Sequence, residues 1–178
     1  MARFARPAFI PVPAGNPLTR EKIALGRRLF NDPFLSQSGT RACASCHYPV
    51  QAFTDGLPRA RAFGRALERN TLGLWNLAWR SALFWDGRAA SLETQVAVPL
   101  TSPLEMGRSL DEAAQRIAAR PGYAEEFATA FPDMPQITAD NIAQALGSYE
   151  RVLVSPLTRF DRWASGEASA YSAGAGRI

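Results

Sequence analysis

A chain of 178 residues is long enough for one domain with a real core and short for two. Its 47% hydrophobic and 20% charged residues are ordinary for a globular protein, and no stretch reaches the roughly 18 apolar residues of a membrane span. The net charge of +4 rests on arginines scattered from Arg3 to Arg177, with Lys22 the single lysine and no run longer than Arg27-Arg28; this argues against a nucleic-acid surface and leaves composition bias or pairing with an acidic group or partner.

In chain order, residues 1–16 read as an N-terminal extension: "MARFARPAFIPVPAGNPL" has the positive charges of a signal n-region but no apolar h-region behind them. "PLTREKIALGRRLFND" predicts a helix capped by Thr19, with Glu21 in its first turn, Ile23, Gly26 and Phe30 at helical spacing, and Pro33 as its stop. A polar turn, "LSQSGTRA", leads to "CASCH", where a short helix ends at His47 because Pro49 biases Tyr48 away from helical angles. "QAFTDGLPRARAFGRALERN" has no clean period and reads as loop. "SLETQVAV" is a short helix capped by Ser91 and ending near Pro99. "SLDEAAQRIAAR" opens with a capping box, Ser109 to Glu112, puts Leu110, Ala113, Ala114 and Ile117 on one face and ends before Pro121. "YAEEFATAF" gives another short helix before Pro132. In "TADNIAQALGSYERVLVSP", Thr138 caps a helix whose stripe is Ile142, Leu146, Tyr149 and Leu153, closed by Pro156. No segment alternates convincingly as a strand, and residues 165–178 are small and polar like a linker.

The segment Cys43 to His47 holds both cysteines of the chain and its only histidine. A disulfide scaffold would spread its thiols to close loops, and zinc wants four ligands. A redox dithiol would be expected behind a strand, and none precedes this one. C-x-x-C-H is the attachment pattern of c-type haem: Cys43 and Cys46 would add across the vinyl groups and His47 would become the proximal iron ligand. One covalent haem c is therefore expected, and with it a compartment outside the bacterial cytoplasm, the periplasm. With no second histidine, the sixth iron position falls to a methionine, to another side chain, to water or to nothing; Met106 and Met134 are the best methionines.

Three longer segments carry a resemblance. "LGRRLFNDPFLSQSGTRACASCHYPVQAFTDG", "RNTLGLWNLAWRSALFWDGRAASLETQVAVPLTSPLEMG" and "IAQALGSYERVLVSPLTRFDRW" resemble, in order, the N-terminal haem domain of the bacterial di-haem cytochrome c peroxidases and their MauG-type relatives. The likeness runs from about Pro17 to Trp163. It implies an all-α fold, a class I-like cytochrome c domain over 17–164 with short helices and long loops around one covalent haem, and residues 165–178 leading toward a second haem domain.

The resemblance also implies roles at matching positions. Gln95 and Glu105 would lie over the peroxide-binding face, where a carboxylate can move the proton that O–O cleavage requires and an amide can orient the distal oxygen. Trp85 would carry electrons between the two haems. Asn70 would be one ligand of a calcium ion at the domain junction, the rest coming from the second domain. Where many members carry a loop histidine that occupies the sixth site, this chain has Phe63, so no ligand would have to leave before peroxide binds.

The expected function is peroxide reduction to water with electrons from a second haem and a small cytochrome c or cupredoxin. Two alternatives stay open: a MauG-type oxidase that modifies a partner protein, and a mono-haem electron carrier. The chain reads as an excised domain, an incomplete gene product or one half of a split protein.

Overall fold

The structure is a computed structural model and describes residues 4–170. Six α-helices carry it: α1 (Arg20–Asn31), α2 (Leu92–Thr101), α3 (Leu110–Ala118), α4 (Tyr123–Ala130), α5 (Ala139–Arg151) and α6 (Arg159–Ala164). Among the described residues the only sheet is a two-stranded antiparallel ribbon, β1 (Arg61–Ala62) with β2 (Arg65–Ala66). It falls inside the long stretch read as loop. Phe63 (φ 49°) and Gly64 (φ 78°) are both left-handed, as a two-residue hairpin turn demands, and this local chemistry carries no hydrophobic alternation.

α1 and α5 form the centre. Thr19 caps α1 by accepting from the Lys22 backbone N–H at 3.1 Å, and Thr138 caps α5 by accepting from that of Asn141 at 3.1 Å. The buried face of α1 is Lys22, Leu25, Gly26, Leu29 and Phe30, so Ile23 does not lie on it as its spacing predicted. Gly26 sets that rotation: a Cβ built there would lie 2.0 Å from the Ala145 carbonyl oxygen of α5. Ile142 and Leu146 are fully buried in the core, as expected, and α3 and α4 close over it with Ile117, Tyr123 and Phe127.

Two helix ends differ from the sequence reading. α2 runs through Pro99 to Thr101. A proline inside a helix costs about 3 kcal/mol, but the following turn folds back and satisfies the terminal carbonyls: the Met106 N–H donates to Pro99 and that of Arg108 to Leu100. α5 stops at Arg151, well before Pro156, because Asn76 ties the chain down in extended form. Its N–H donates to the Leu153 carbonyl at 2.8 Å, and its Oδ1 accepts from the Ser155 N–H at 3.1 Å. α6 has its own capping box, Thr158 with Asp161.

The stretch before α1 is stitched to the domain. Arg6 donates to the Ser155 carbonyl at 2.7 Å and pairs with Asp161 at 3.1 Å. Asn16, fully buried, bonds Glu93, the Gln144 carbonyl and Lys22. At the other end, the stretch read as linker lies outside the described residues beyond Ala170.

Candidate functional site

Cys43 begins a single 3-10 turn, Cys43–Ser45, nucleated by Ser45, whose hydroxyl accepts from the Ala42 N–H at 3.0 Å. The Cys46 and His47 N–H groups both reach the Cys43 carbonyl at 3.1 Å, so one turn presents both thiols and the imidazole together. The cysteines are unpaired, and no group of three or more His, Cys, Asp and Glu side chains among the described residues could hold a metal ion.

The chain beyond His47 is shaped to hold its ring. Ala52 (φ 56°) and Phe53 (φ 59°) are consecutive left-handed residues without glycine, a costly conformation that persists where the surroundings enforce it. They curl the backbone back so that the Phe53 carbonyl sits 2.7 Å from His47 Nδ1, while the Phe53 N–H donates to the Tyr48 carbonyl at 2.9 Å. A carbonyl at Nδ1 holds the proton there and leaves the Nε2 lone pair as the metal donor. Burial lowers the pKa of His47, against the pull of the Phe53 carbonyl, Asp55 and the Leu72 carbonyl, so the ring is kept neutral as a ligand must be.

Burial, with the Glu150 carboxylate next in effect and Glu105 also contributing, pushes the Cys43 thiol up to about 12; burial raises Cys46 as well. A thiol so placed is almost wholly un-ionised near neutrality and a poor nucleophile. Two thiols on one turn, a tautomerically fixed imidazole and a half-buried setting fit a covalent c-type haem on Cys43, Cys46 and His47.

The residues assigned to the opposite face come from α2 and the turn after it. Gln95 is half-buried on α2, with its Oε1 buried and without a hydrogen-bond partner. A buried amide oxygen left without a partner is expensive and waits for one. Glu105 is half-buried, and its charge is among the smaller influences that raise Cys43 and Cys46. Burial raises its carboxyl pKa, partly offset by the Ser102 hydroxyl and by Arg88. No hydrogen bond joins Gln95 to Glu105.

Trp85 is 61% exposed, just after the left-handed Phe84, and its indole N–H donates to the Asn70 carbonyl at 3.4 Å. Trp79 is half-buried and donates to the Phe9 carbonyl. The Asn70 side-chain oxygen is buried without a partner, a polar atom that a hard cation could satisfy. Phe63 sits exposed at the hairpin tip under the Arg41 guanidinium, 4.2 Å from the ring centroid. Met106 is buried in the main core, whereas Met134 is 59% exposed in the turn between α4 and α5.

Sequence reasoning did not single out Phe53 or Glu150. Phe53 contributes only a carbonyl, and left-handed angles at Ala52-Phe53 leave no trace in composition. Glu150 is 5% exposed, has an unpartnered Oε2, and burial beside Glu93 pushes its carboxyl up to about 8 despite Arg151. Arg151 is spent elsewhere, 3.0 Å from Glu93. Its only sequence signal was a charge on a helix otherwise read as core. A carboxyl whose pKa is raised by folding binds protons better in the native state, so stability falls as pH rises from its ordinary value of 4.5 to about 8 and then levels off. Glu150→Gln is expected to abolish that decline and to be more stable than the parent at pH 9, by roughly 2 kcal/mol or more. Denaturant titrations at pH 5 and pH 9 measure it.

The chain is similar to several known proteins. The chain is 50% identical over 177 residues to the "Methylamine utilization protein MauG" of Methylorubrum extorquens, covering 99% of this chain and 50% of that one. It is 34% identical over 163 residues to the "Cytochrome c551 peroxidase" of Nitrosomonas europaea, covering 90% and 48%. Among solved structures, a MauG-like protein associated with microbial copper homeostasis superposes with a TM-score of 0.82 at 36% identity, over 92% of this chain and 50% of that one. The diheme peroxidase BthA of Burkholderia thailandensis gives 0.70 at 26% identity, over 83% and 43%. The chain therefore spans about half the length of these relatives. The family described as "Di-haem cytochrome c peroxidase" matches residues 20–169, and this chain belongs to that family.

Proposed function

We propose that this chain is the peroxide-binding haem domain of a periplasmic di-haem peroxidase that reduces hydrogen peroxide to water. The observation that carries the reading is Glu105, a half-buried carboxyl with a raised pKa whose charge is felt at the thiols of the attachment turn. Haem bound through Cys43, Cys46 and His47 would supply the iron that takes up peroxide and accepts electrons. Glu105 would take a proton from the incoming peroxide at its carboxylate and return it to the departing oxygen as water forms. The unpartnered Gln95 Oε1 would accept a hydrogen bond from the peroxide and so orient it. Trp85, on the surface, would meet electrons from a second haem domain, itself reduced by a small cytochrome c or cupredoxin. Asn70 Oδ1 would give one oxygen to a calcium ion at that junction.

A second reading has its own support. Phe63 stands about where many peroxidases carry a displaceable histidine, and the 50% identity is to a MauG. On that reading the same site oxidises a partner protein; mass analysis of candidate partners after peroxide treatment separates the two.

The test for both is the resting spectrum of the haem-loaded protein, recorded before and after hydrogen peroxide. A high-spin ferric spectrum, with no bis-nitrogen signal in EPR and a prompt response to peroxide, is expected. A low-spin spectrum with a sulfur-to-iron band and no response would make the chain an electron carrier and remove the roles of Gln95 and Glu105.

A further inference from the structure

The loop that carries Trp85 has an apolar base and an exposed tip. Leu83 and Ala89 form an isolated antiparallel bridge at the base, where the Leu83 N–H donates to the Ala89 carbonyl at 2.9 Å. Both pack with Leu92 in a small buried cluster of their own. Between them, Phe84 (φ 68°) and Gly87 (φ 71°) are left-handed. Glycine adopts that conformation freely, whereas a bulky aromatic residue holds it only where the surroundings enforce it.

Asp86 supplies the enforcement. Its Oδ1 accepts from Arg88 Nη1 at 2.8 Å, and its Oδ2 accepts from the same nitrogen at 3.1 Å. Oδ2 also accepts from Arg69 Nη1 at 2.9 Å. Arg88, held in this way, lays its guanidinium over the Phe84 ring, 3.7 Å from the centroid. The Arg88 hydrogen bonds, with that of Arg69, hold the Asp86 carboxyl down at about 2, so the clamp stays charged near neutrality. One carboxylate therefore ties the residue before Trp85 to the segment Arg69-Asn70, and it is the Asn70 carbonyl that accepts from the Trp85 indole N–H.

Trp85 does not hold itself in place. Its side chain is largely exposed, and its hydrogen bond to Asn70 is long, at 3.4 Å. From the clamp around it, we infer that Asp86 is a positioning residue for Trp85, fixing the indole in one orientation on the surface where an electron-delivering domain would meet it. This rests on the electron-entry role given to Trp85 in the proposed function. Arg69, Asp86 and Arg88 are all exposed, and exposed ion pairs add little to global stability. The effect of this cluster is local: it pre-organises a side chain that burial leaves free.

The test is the 15N indole spectrum of the haem-loaded chain. Its four tryptophans give four signals, and Trp85→Phe identifies one of them by its loss. Asp86→Ala is expected to shift the Trp85 signal toward that of a free indole and to lower its heteronuclear NOE, the mark of faster local motion. The signals of Trp75, Trp79 and Trp163 and the melting temperature should stay those of the parent. Arg69→Gln changes the local charge in the opposite sense and should still move the Trp85 signal the same way, which a mere change of field would not do. Asp86→Glu should restore most of the parental signal. At about 1 M salt, where the screening length falls to about 3 Å, the parent should approach the alanine variant. A Trp85 signal unchanged in Asp86→Ala overturns the proposal, and so do shifts of opposite sign in Asp86→Ala and Arg69→Gln. The proposed function fails by a different sign, a parent that does not respond to hydrogen peroxide, and the indole spectrum would still decide whether Asp86 sets Trp85.

Discussion

Replacing Glu105 by glutamine is expected to slow the peroxide reaction of the haem-loaded protein by about 10²–10⁴-fold, the range typical for loss of a positioned acid–base group. Attachment through Cys43, Cys46 and His47 is untouched, so the resting absorption spectrum should be that of the parent. The pH profile makes the test specific. Burial raises the Glu105 carboxyl above its ordinary 4.5, and only the ionised form can accept a proton. The parent's rate should therefore rise with pH through a pKa higher than that of a free glutamate, and this limb should vanish in the glutamine variant. Arg88 holds the carboxyl down in part, so Arg88→Ala should move the limb to still higher pH. Stopped-flow rates from pH 4 to pH 9 would show both effects. A glutamine variant that reacts at the parental rate would leave Glu105 as a half-buried loop charge with no part in the chemistry.

The largest stability effect is expected at Gly26. An alanine Cβ would lie 2.0 Å from the Ala145 carbonyl oxygen and 2.9 Å from the Tyr149 Cβ, so backbone rather than a pliable side chain must yield. Overpacking of this kind costs 1–3 kcal/mol and occasionally more, and here about 3 kcal/mol is expected. For a chain of this size that lowers Tm by roughly 10 °C. Gly15→Ala is the control, since nothing lies within 4 Å of the Cβ it would add. Equal melting of the two variants would mean that α1 and α5 do not cross at Gly26. The same crossing sets Phe30 between His47 and Tyr149, so loosening it should also broaden the iron-ligand geometry seen in EPR.

Much of the frame was legible in the sequence because its signals are local. Thr19, Ser91, Ser109 and Thr138 cap the helices they were expected to cap, since a hydroxyl three residues ahead of a free N–H needs nothing from the rest of the fold. Proline was the less dependable guide. Pro99 lies inside α2, where the turn just after the helix folds back onto its last carbonyls, and α5 stops before Pro156, where Asn76, far off in the chain, holds the following residues extended.

At the candidate site the division is similar. The spacing of Cys43, Cys46 and His47 determined by itself that a haem could be attached and which imidazole would face its iron, because thioether chemistry needs only those residue types at that interval. The order of the three longer segments determined the family. Tertiary structure alone decided that the Phe53 carbonyl fixes the His47 tautomer, that the Glu105 charge is felt at the thiols, that Glu150 is buried with its Oε2 unpartnered, and that Arg20, Arg27 and Arg120 line one surface groove. Each of these depends on groups far apart in the chain, or on a backbone carbonyl that carries no residue identity, and only the packing of α1 against α5 and the turn after α2 brings them into reach.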